Sequence, residues 1–363
     1  MDICEHRIWT DSAIPHSLFS SGDRKYCKKQ EKAKLKVLFI GGTGVISSAC
    51  AALCVENGFD LWLLNRGNNL RTPPKDAKLI RADIRKTAEV RSAISRLDFD
   101  VVVDWIAYDV GHVKNDVELF KDKTVQYIFI SSASVYQKPP DRLPITESTI
   151  LHNPYWQYAR DKIACEEYLI EAFGKENFPV TIVRPSHTYD RTMIPFHGEY
   201  TVIERMKKGK KVIIHGDGTS LWTLTHHKDF AKGFIGLLGN NDTIGESYHI
   251  TSDEILTWNQ IFQIIADALG IKPNFIHIPS DFINRFDQEW GGSLLGDKAH
   301  SMIFDNSKIK KIVSDFRATI PFSTGAREII NWYEADESRQ VINEKNDKVM
   351  DLIIERFESI ISS

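Results

Sequence analysis

Short apolar runs alternate with helical patterns along most of the chain. The first run, Val37–Ile40, is unbroken and too short for a helix, so it predicts a strand buried on both faces of a parallel sheet. Similar runs predict five more strands, at Leu61–Leu64, Lys78–Ala82, Val101–Trp105, Val125–Ile130 and Val180–Arg184. Strands that alternate with helices in this way predict a doubly wound α/β fold built on a parallel sheet.

A glycine-rich turn follows the first predicted strand. Gly41, Gly42 and Gly44 leave it almost without side chains, and the apolar pattern of Ala49–Val55 then predicts a helix. Glycine lets the backbone approach a pyrophosphate, and a helix N-terminus offers free N–H groups and a partial positive charge. Glycine turns also end ordinary strands, but the flanking strand and helix favour a dinucleotide site. Ser47 occupies the third glycine position, where we expect slightly looser helix–strand packing and an intact turn.

The end of the second predicted strand bears on the choice of cofactor. An acidic residue at this point binds the ribose 2′-hydroxyl of NAD and would repel the 2′-phosphate of NADP. This chain has neutral Asn65 and cationic Arg66 instead, which favours NADP over NAD. Arg66 could equally stack on adenine or face water. Asp83 and Ile84, after the third strand, are placed to touch the adenine.

Composition and charge exclude several classes of protein. The chain has 363 residues, 42% of them hydrophobic, and a net charge of -3, which supports neither a nucleic-acid-binding nor a membrane surface. Five cysteines without a C-x-x-C pair indicate a reduced, cytoplasmic protein. His226, His227 and Asp229 could suggest a metal site. Adjacent histidines point in different directions on a helix, so no metal is predicted.

Hydroxyl groups and a tyrosine–lysine pair stand at positions suited to chemistry. Ser132 and Ser134 follow the fifth strand, and ligands of such sheets bind beyond the carboxyl ends of the strands. Tyr158 and Lys162 lie four residues apart, so they share one face of a predicted helix. This spacing is common by chance. Its significance comes from its order in the chain, after a glycine turn and a serine at a strand end.

Taken in order, these motifs resemble those of the extended short-chain dehydrogenase/reductases, the NAD-dependent epimerase/dehydratase family. The resemblance runs from about Lys36 to about Tyr333. It rests on the glycine motif, Ser131–Tyr136, Tyr158-x-x-x-Lys162, Arg184–Tyr189, Gly216-Asp-Gly218 with His226 and Asp229, and Asp305–Lys308. It implies a Rossmann domain that binds NAD(P), a smaller C-terminal substrate domain, and a homodimer formed through paired helices. We expect the interface to include Ile163, Tyr168 and Leu169 on the helix that carries Tyr158.

The resemblance also implies roles for individual residues. Tyr158 would be the catalytic acid/base. Lys162 would supply the positive charge that a tyrosine needs for this role and would bind the nicotinamide ribose, while Ser132 would hydrogen-bond the same substrate oxygen. The expected cofactor contacts are Gly41, Thr43, Gly44, Val45, Ile46, Asn65, Arg66, Asp83, Ile84, Ile106, Ala107, Tyr158, Lys162, Pro185 and Ser186. The expected substrate contacts are Tyr108, Ser134, His187 and Trp222, with Tyr189, His197, Trp258 and His300 as further pocket candidates.

Two departures from the family pattern limit the reactions and the substrates that we expect. Ala133 and Ser134 stand where the dehydratases carry an acidic pair, so elimination of water lacks its acid and base. Trp222 stands where members that bind sugar nucleotides place a phosphate-binding arginine. We therefore expect a neutral carbohydrate-like substrate, a polyol, a glycoside or a nucleoside-type sugar, with Trp222 stacked on its apolar face. Arg191 or Arg285 could instead take over a phosphate.

The expected organisation is a polar leader over residues 1–35 with a basic lysine run, a dinucleotide-binding domain over 36–186, a substrate domain over 187–335 interleaved with returns to the sheet, and a C-terminal helix within 336–363. The lysine run Lys207–Lys211 is expected to face solvent. Two functional classes stay open. One is an NAD(P)-dependent epimerase or oxidoreductase that moves a hydride to or from a carbohydrate-type carbon. The other is a non-catalytic cofactor-sensing or RNA-binding member of the same fold, as some chloroplast relatives are. The Ser132, Tyr158 and Lys162 set favours the enzyme.

Overall fold

A computed structural model describes residues 34–68 and 71–362 of the chain. Most of the predicted leader, with Cys4, Cys27 and the first four lysines of its basic run, lies outside the described residues. The strands within them are β1 Lys36–Ile40, β2 Asp60–Asn65, β3 Lys78–Arg81, β4 Phe99–Asp104, β5 Thr124–Ile130, β6 Val180–Pro185, β7 His187–Tyr189, β8 Lys211–His215, β9 Leu221–Trp222, β10 Leu224–His226, β11 Ser247–Ile250, β12 Leu256–Thr257 and β13 Asn274–Ile278.

Helices connect and cover these strands. They are α1 Val45–Glu56, α2 Thr87–Ala93, α3 Val110–Phe120, α4 Gln157–Glu176, α5 Tyr200–Lys207, α6 His227–Ile235, α7 Trp258–Leu269, α8 Ser280–Asn284, α9 Gln288–Ser293, α10 Ser307–Ile312, α11 Phe322–Glu334 and α12 Glu344–Ile361. A π-helical turn, Leu294–Lys298, continues directly from α9. Three short 3₁₀ turns lie at Ala133–Val135, Asn241–Thr243 and Glu337–Arg339.

Seven strands form one parallel sheet in the order β11-β6-β5-β4-β1-β2-β3. All six predicted strands belong to it, and their bounds agree with the prediction to within two residues. The order reverses direction at β1, beside β4, which is the crevice where ligands of doubly wound sheets bind. The predicted doubly wound α/β fold is confirmed. The sequence prediction missed the edge strand β11, a four-residue segment that contains Ser247 and His249.

The central strands are buried on both faces. Leu38 and Ile40 of β1 pack with α3 and α4 on one side of the sheet, while Val37 and Phe39 pack with α1 and α6 on the other. Successive side chains of a strand point to opposite faces, so an unbroken apolar run serves two cores at once. Each fully buried aliphatic side chain of this size contributes roughly 1.5–3 kcal/mol. The run that first marked β1 therefore holds both helical layers onto the sheet.

A third core lies away from the main sheet. It is formed by α5, α7, α11 and α12 around the two-stranded pair β8 and β13. Helix α12 begins at Glu344, because the Asn343 carboxamide caps it by accepting the Asn346 N–H at 3.1 Å. The sequence pattern predicts an apolar stripe of Val341, Val349, Leu352, Ile353 and Phe357 on this helix. The prediction is wrong for Val341, which precedes the helix, and for Leu352, which is 41% exposed. Val349, Ile353 and Phe357 do pack on the third core, together with Met350 and Ile354.

The lysine run Lys207–Lys211 anchors the C-terminal helix. Lys210 forms ion pairs with Asp347 and Asp351, at 2.9 and 3.0 Å, and Lys211 pairs with Glu358. All three acids belong to α12. Lys207, Lys208 and Gly209 are exposed, as the sequence predicted, whereas Lys210 and Lys211 are half-buried against α12.

Helix α4 differs from prediction on its outer face. Leu169 is fully buried in the core between the sheet and α4, so it cannot belong to a surface that contacts another subunit. Tyr168 also packs toward that core, beneath the Lys114 ammonium. The exposed apolar side chains of α4 are Ile170 and Phe173. A helical turn carries Leu169 inward because it shares a face with Cys165 and Ala172, at i−4 and i+3.

Candidate functional site

A cavity of about 860 Å³ runs along the carboxyl ends of the sheet strands from the glycine turn toward the third core. It lies within the size range of small-molecule sites. We name its three parts after the roles that the sequence predicts for them: a cofactor end, a central part and a substrate end. The cofactor end is lined by Gly41–Ser47, Leu64–Arg66, Ala82–Arg85, Trp105 and Ile106. The central part is lined by Tyr108, Ile130–Ser134, Tyr158, Lys162, Pro185 and Ser186. The substrate end is lined by Trp156, His187, Thr188, Met193, Trp222, Thr223, Asp297, Lys298, Met302 and Phe304.

The glycine turn is built for backbone approach. Gly42 has a φ of +89°, and a Cβ at this position would lie 2.7 Å from Leu63 Cδ2. Only glycine fits both conditions. Ser47, at the third glycine position, is buried and accepts the Gly44 N–H through its hydroxyl at 2.8 Å. The serine therefore ties the turn to the first helical turn and leaves the turn intact.

The end of β2 offers donors and a cation. The Asn65 side-chain oxygen accepts the Gly67 N–H at 2.9 Å, while its buried Nδ2 has no partner among the described residues. A buried donor without a partner is costly, and here it lies in the cavity wall where a ribose would supply an acceptor. Arg66 lines the cavity beside it. Together with the glycine turn, these residues fit a dinucleotide.

The adenine-side residues are held by local hydrogen bonds. Asp83 accepts the Arg85 N–H at 3.1 Å, and the Arg85 guanidinium donates to the Ile106 carbonyl at 2.5 Å. Asp83, Ile84 and Ile106 all line the cavity, as expected. Ala107 does not line it. Its side chain is fully buried, and its backbone carbonyl accepts a hydrogen bond from Lys162.

Lys162 extends from α4 to the ends of two strands. Its Nζ donates to the carbonyl oxygens of Ala107, at 2.6 Å, and Ile130, at 2.8 Å, and the side chain is almost fully buried. The ammonium also lies 5.0 Å from the centre of the Tyr108 ring. Burial lowers the pKa of Lys162 to about 8, and the Asp104 carboxylate opposes this shift. Asp104 accepts the Ile106 and Ala107 N–H groups at 2.5 and 2.8 Å, so it also shapes the turn that carries the Ala107 carbonyl.

Ser132, Ser134 and Tyr158 meet at the centre of the cavity. The Ser134 hydroxyl donates to Ser132 Oγ at 2.9 Å, and the 3₁₀ turn after β5 begins with the Ser134 N–H on the same oxygen. Burial raises the pKa of Tyr158 to about 12, and hydrogen bonding with Ser132 lowers it only in part. The Lys162 Nζ lies 5.9 Å from the centre of the Tyr158 ring, with its hydrogen bonds directed at carbonyl groups. The structure thus brings together all three predicted catalytic residues, and burial dominates the pKa of the tyrosine.

At the substrate end, His187 and Trp222 both line the cavity. The Trp222 indole N–H donates to His187 Nδ1 at 3.2 Å, and the indole packs against Trp258 with only 3% of the residue exposed. Burial and the neighbouring Lys298 ammonium lower the pKa of His187 to about 3. Trp222 is therefore largely occupied within the protein core, and little of its ring is open to a substrate.

Four of the sequence-predicted pocket candidates do not line the cavity. Tyr189 and Trp258 are buried in the third core, His197 stacks on Trp290 at 4.6 Å, and His300 hydrogen-bonds the Leu295 carbonyl. Trp156, Asp297 and Lys298 also line the cavity, although no sequence motif predicted them. Of these three, only Trp156 lies close to a motif in the sequence, two residues before Tyr158.

The described residues contain no group of three or more His, Cys, Asp or Glu side chains that could hold a metal ion. Asp229 instead accepts the Thr319 and Ile320 N–H groups at 3.0 and 2.8 Å and pairs with Lys232. It thus joins α6 to the segment before α11. Among the described helices, none is long and apolar enough to cross a membrane.

The family model for the NAD dependent epimerase/dehydratase family matches residues 37–251. The chain belongs to this family. The match extends from β1 through β11, so it includes the whole parallel sheet, the glycine turn and the three predicted catalytic residues.

Individual relatives lie at moderate distance. The chain is 28% identical over 267 residues to "Chloroplast stem-loop binding protein of 41 kDa b" of Arabidopsis thaliana, covering 68% of this chain and 67% of that protein. It is 25% identical over 321 residues to a putative UDP-glucose 4-epimerase of Methanocaldococcus jannaschii, covering 82% of this chain and 97% of that one. The dTDP-glucose 4,6-dehydratase of Bacillus anthracis, solved in complex with NAD, superposes with a TM-score of 0.68 at 19% identity, covering 84% and 98%. That structure shares the fold.

Proposed function

We propose that this protein is an NADP(H)-dependent oxidoreductase or epimerase that moves a hydride to or from a carbohydrate-type carbon. One observation carries the proposal: a single cavity joins the glycine turn to Ser132, Tyr158 and Lys162. A dinucleotide on the turn and a substrate at the far end would therefore meet at the tyrosine. Sugar epimerases and dehydratases among the relatives support the same class of chemistry.

In the proposed reaction, Tyr158 exchanges a proton with the substrate oxygen while Ser132 donates a hydrogen bond to that oxygen. A bound nicotinamide would supply or accept the hydride. Since burial raises the pKa of Tyr158, its phenol is protonated at neutral pH and suited to donate in the reductive direction. The Lys162 ammonium would stabilise the phenolate that forms after the transfer. Its two carbonyl acceptors hold it in place for that role.

Elimination of water is not favoured by these residues. Ala133 and Ser134 occupy the positions of the dehydratases' acidic pair, and the Ser134 hydroxyl already bonds Ser132. Two carboxylates line the cavity, Asp83 after β3 and Asp297 in the π-helical turn. Neither belongs to the segment after β5, where the dehydratases carry their acidic pair. We therefore favour oxidation, reduction or epimerisation.

The proposed preference for NADP rests on charge at the end of β2. Arg66 lines the cavity next to Asn65, and the last residues of that strand include no carboxylate. A 2′-phosphate would meet a cation and an amide donor, whereas NAD would lose the acidic partner that usually binds its 2′-hydroxyl.

The test is the purified protein with each dinucleotide. Its ultraviolet spectrum and the mass of any released dinucleotide show whether cofactor copurifies. Isothermal titration with NADPH and NADH gives the two dissociation constants. Retained cofactor would indicate an epimerase, and an empty site that binds NADPH would indicate a dehydrogenase or reductase. Failure to bind either dinucleotide would contradict the proposal.

A second candidate is RNA binding without catalysis, favoured by the similarity to the chloroplast stem-loop binding protein. Its test is a gel-shift titration with stem-loop RNA at physiological salt. Non-specific nucleic-acid binding is governed by phosphate contacts and has dissociation constants of about 10⁻⁴–10⁻⁶ M under these conditions. Binding much tighter than this range, together with no turnover of any sugar, would favour the second candidate. We expect no such binding.

A further inference from the structure

Lys298 enters the substrate end of the cavity from a segment distant in sequence from the other site residues. It is the last residue of the π-helical turn after α9, and its side chain lines the cavity. Its backbone carbonyl accepts hydrogen bonds from His215 Nε2 and Ser220 Oγ, both at 3.0 Å. Its Nζ lies 5.5 Å from the centre of the Trp156 ring. The lysine is thus held at its backbone and directed along an aromatic wall.

The turn that carries Lys298 is fixed to the catalytic segment. Asn153 donates to the carbonyl oxygens of Ser134 and Gly296, at 2.8 and 2.6 Å. A Cβ at Gly296 would lie 2.6 Å from Trp156 Cβ, so only glycine lets the two segments approach this closely. The position of Lys298 relative to Ser134 and Trp156 is therefore set by packing.

The charge on Lys298 is not balanced by its neighbour. Asp297 forms an ion pair with Lys138 at 3.5 Å, and the Lys138 side chain is fully buried and also donates to the Tyr136 carbonyl. The single carboxylate near Lys298 is therefore matched by another lysine. Within the described residues, the Lys298 ammonium forms no ion pair and has no hydrogen-bond acceptor. Burial lowers its pKa, and the Asp297 carboxylate opposes this shift. The substrate end consequently carries one net positive charge.

His187 provides a second donor at this end. An indole N–H can only donate, so the Trp222 hydrogen bond makes His187 Nδ1 an acceptor. The neutral imidazole must then carry its proton on Nε2, which has no partner among the described residues. With a pKa of about 3, the ring stays neutral through the physiological range. It can donate to an oxygen ligand but cannot repel a cation.

A half-buried ammonium without a partner is unfavourable unless a ligand supplies the opposite charge. We propose that Lys298 binds an anionic oxygen group of the substrate, a carboxylate or a phosphate of a sugar, with His187 as the second donor. This inference rests on the proposed function and names its substrate class. It replaces the sequence expectation of a neutral sugar, which assumed that no cation reached the pocket.

The position of Lys298 also places the anionic group on the substrate. Trp156 contacts both the Lys298 ammonium and the Tyr158 ring, with 4.9 Å between the two ring centres. This arrangement favours an anionic group on the same sugar unit as the reacting carbon, or on an atom attached directly to it. A uronic acid carboxylate and an anomeric phosphate both meet this condition.

The experiment is isothermal titration in the presence of NADPH with five probes: glucose, glucosamine, glucuronate, glucose 1-phosphate and UDP-glucose. The variants are Lys298→Met, Lys298→Arg as the charge-conserving rescue, and Lys345→Met as a control at an exposed lysine of α12. We expect at least one anionic probe to bind at least tenfold more weakly to Lys298→Met than to the wild type. Lys298→Arg should restore most of that affinity, and Lys345→Met should leave it unchanged.

The outcomes separate the sources of the anion. If Lys298→Met loses affinity only for glucuronate, the group bound by Lys298 is a carboxylate. If it loses affinity only for the two phosphate compounds, the group is a phosphate. Glucose or glucosamine bound as tightly as every anionic probe, or equal anion affinity in Lys298→Met, would overturn the inference. NADPH binding, measured alone by nicotinamide fluorescence, tests the proposed function separately: its loss would refute that function while the anion titrations still report on Lys298.

Discussion

Asp104 and Asp116 meet as two buried carboxyl groups next to Lys162. Each keeps one oxygen, Asp104 Oδ2 and Asp116 Oδ1, that no donor among the described residues reaches. A single proton held between these oxygens satisfies both. Burial and the Asp104 carboxylate raise the pKa of Asp116 well above its ordinary value, with Tyr127 and Arg85 acting in the opposite direction. Asp116 is therefore the member that stays protonated, while Asp104 accepts two backbone N–H groups.

This assignment predicts unequal effects of two matched substitutions. Asp116→Asn keeps a neutral side chain that can accept the Tyr127 hydroxyl and donate to Asp104, so activity should stay within about twofold of wild type. Asp104→Asn removes the charge that raises the pKa of Lys162. Activity should fall about twofold at pH 7 and about tenfold at pH 9, because the pH at which activity declines should move lower by about one unit. The measurement is the pH profile of kcat for both variants. Equal profiles would contradict the assignment.

Tyr158→Phe should abolish most hydride transfer and keep the fold. Only the phenolic hydroxyl is lost, and general acid–base groups contribute about 10²–10⁴ to rate. The measurements are single-turnover oxidation of NADPH, the melting temperature and the NADPH dissociation constant. The last two should match the wild type. Tyr155→Phe, an exposed tyrosine outside the cavity, is the control. Wild-type turnover by Tyr158→Phe would exclude this tyrosine as the acid/base.

Lys162 should contribute measurably to the pH dependence of the free energy of unfolding. Its pKa is about 8 in the folded protein and about 10.5 when unfolded. Between these values the unfolded chain binds the extra proton, so the free energy of unfolding rises with pH. The rise totals about 3 kcal/mol, since each pKa unit corresponds to about 1.4 kcal/mol. Denaturant titrations of wild type and Lys162→Met at pH 7 to 11 isolate this contribution. A constant difference between the two proteins would show that Lys162 has an ordinary pKa.

Arg66→Asp should weaken NADPH binding more than NADH binding. The new carboxylate would repel the 2′-phosphate but could accept the 2′-hydroxyl of NAD. Isothermal titration of both cofactors gives the ratio of dissociation constants, which should change by at least tenfold in favour of NADH. Arg96→Asp, at an exposed position outside the cavity, controls for the change in net charge. Parallel changes for both cofactors would place Arg66 away from the ribose.

The homodimer implied by the family resemblance is predicted to use the outer face of α4. Ile163, Glu167 and Ile170 lie on this face, one or two helical turns apart, whereas Leu169 points into the core. Light scattering at micromolar concentration should give twice the chain mass for the wild type and about the chain mass for Ile170→Glu. Ile360→Glu, an exposed isoleucine near the end of α12, is the control and should remain dimeric. A monomeric wild type would contradict the prediction.

The sequence alone was sufficient to predict the parallel sheet, the glycine turn and the pairing of Tyr158 with Lys162. Apolar runs such as Val37–Ile40 identify strands because burial on both sheet faces leaves no polar positions in them. The glycine turn is recognisable because close backbone approach excludes side chains, as Gly42 shows. Tyr158 and Lys162 were predicted together because helical spacing places both on one face. Each of these features depends on neighbours within a few residues, so a local pattern can encode it.

Only the tertiary structure decided which side chains line the substrate end of the cavity. Lys298 reaches the cavity because Gly296 fits against Asn153 and Trp156, contacts between residues more than a hundred positions apart. Leu169 turned inward and Trp222 became part of a core for the same reason: a helix or strand face is buried by whichever distant element packs on it. Charge balance is likewise a property of three-dimensional contacts, because Lys138 takes the carboxylate of Asp297 and leaves Lys298 unpaired. Local motifs were therefore sufficient to predict the residues of the proposed chemistry, whereas long-range packing brings to the cavity the residues that we propose to bind the substrate.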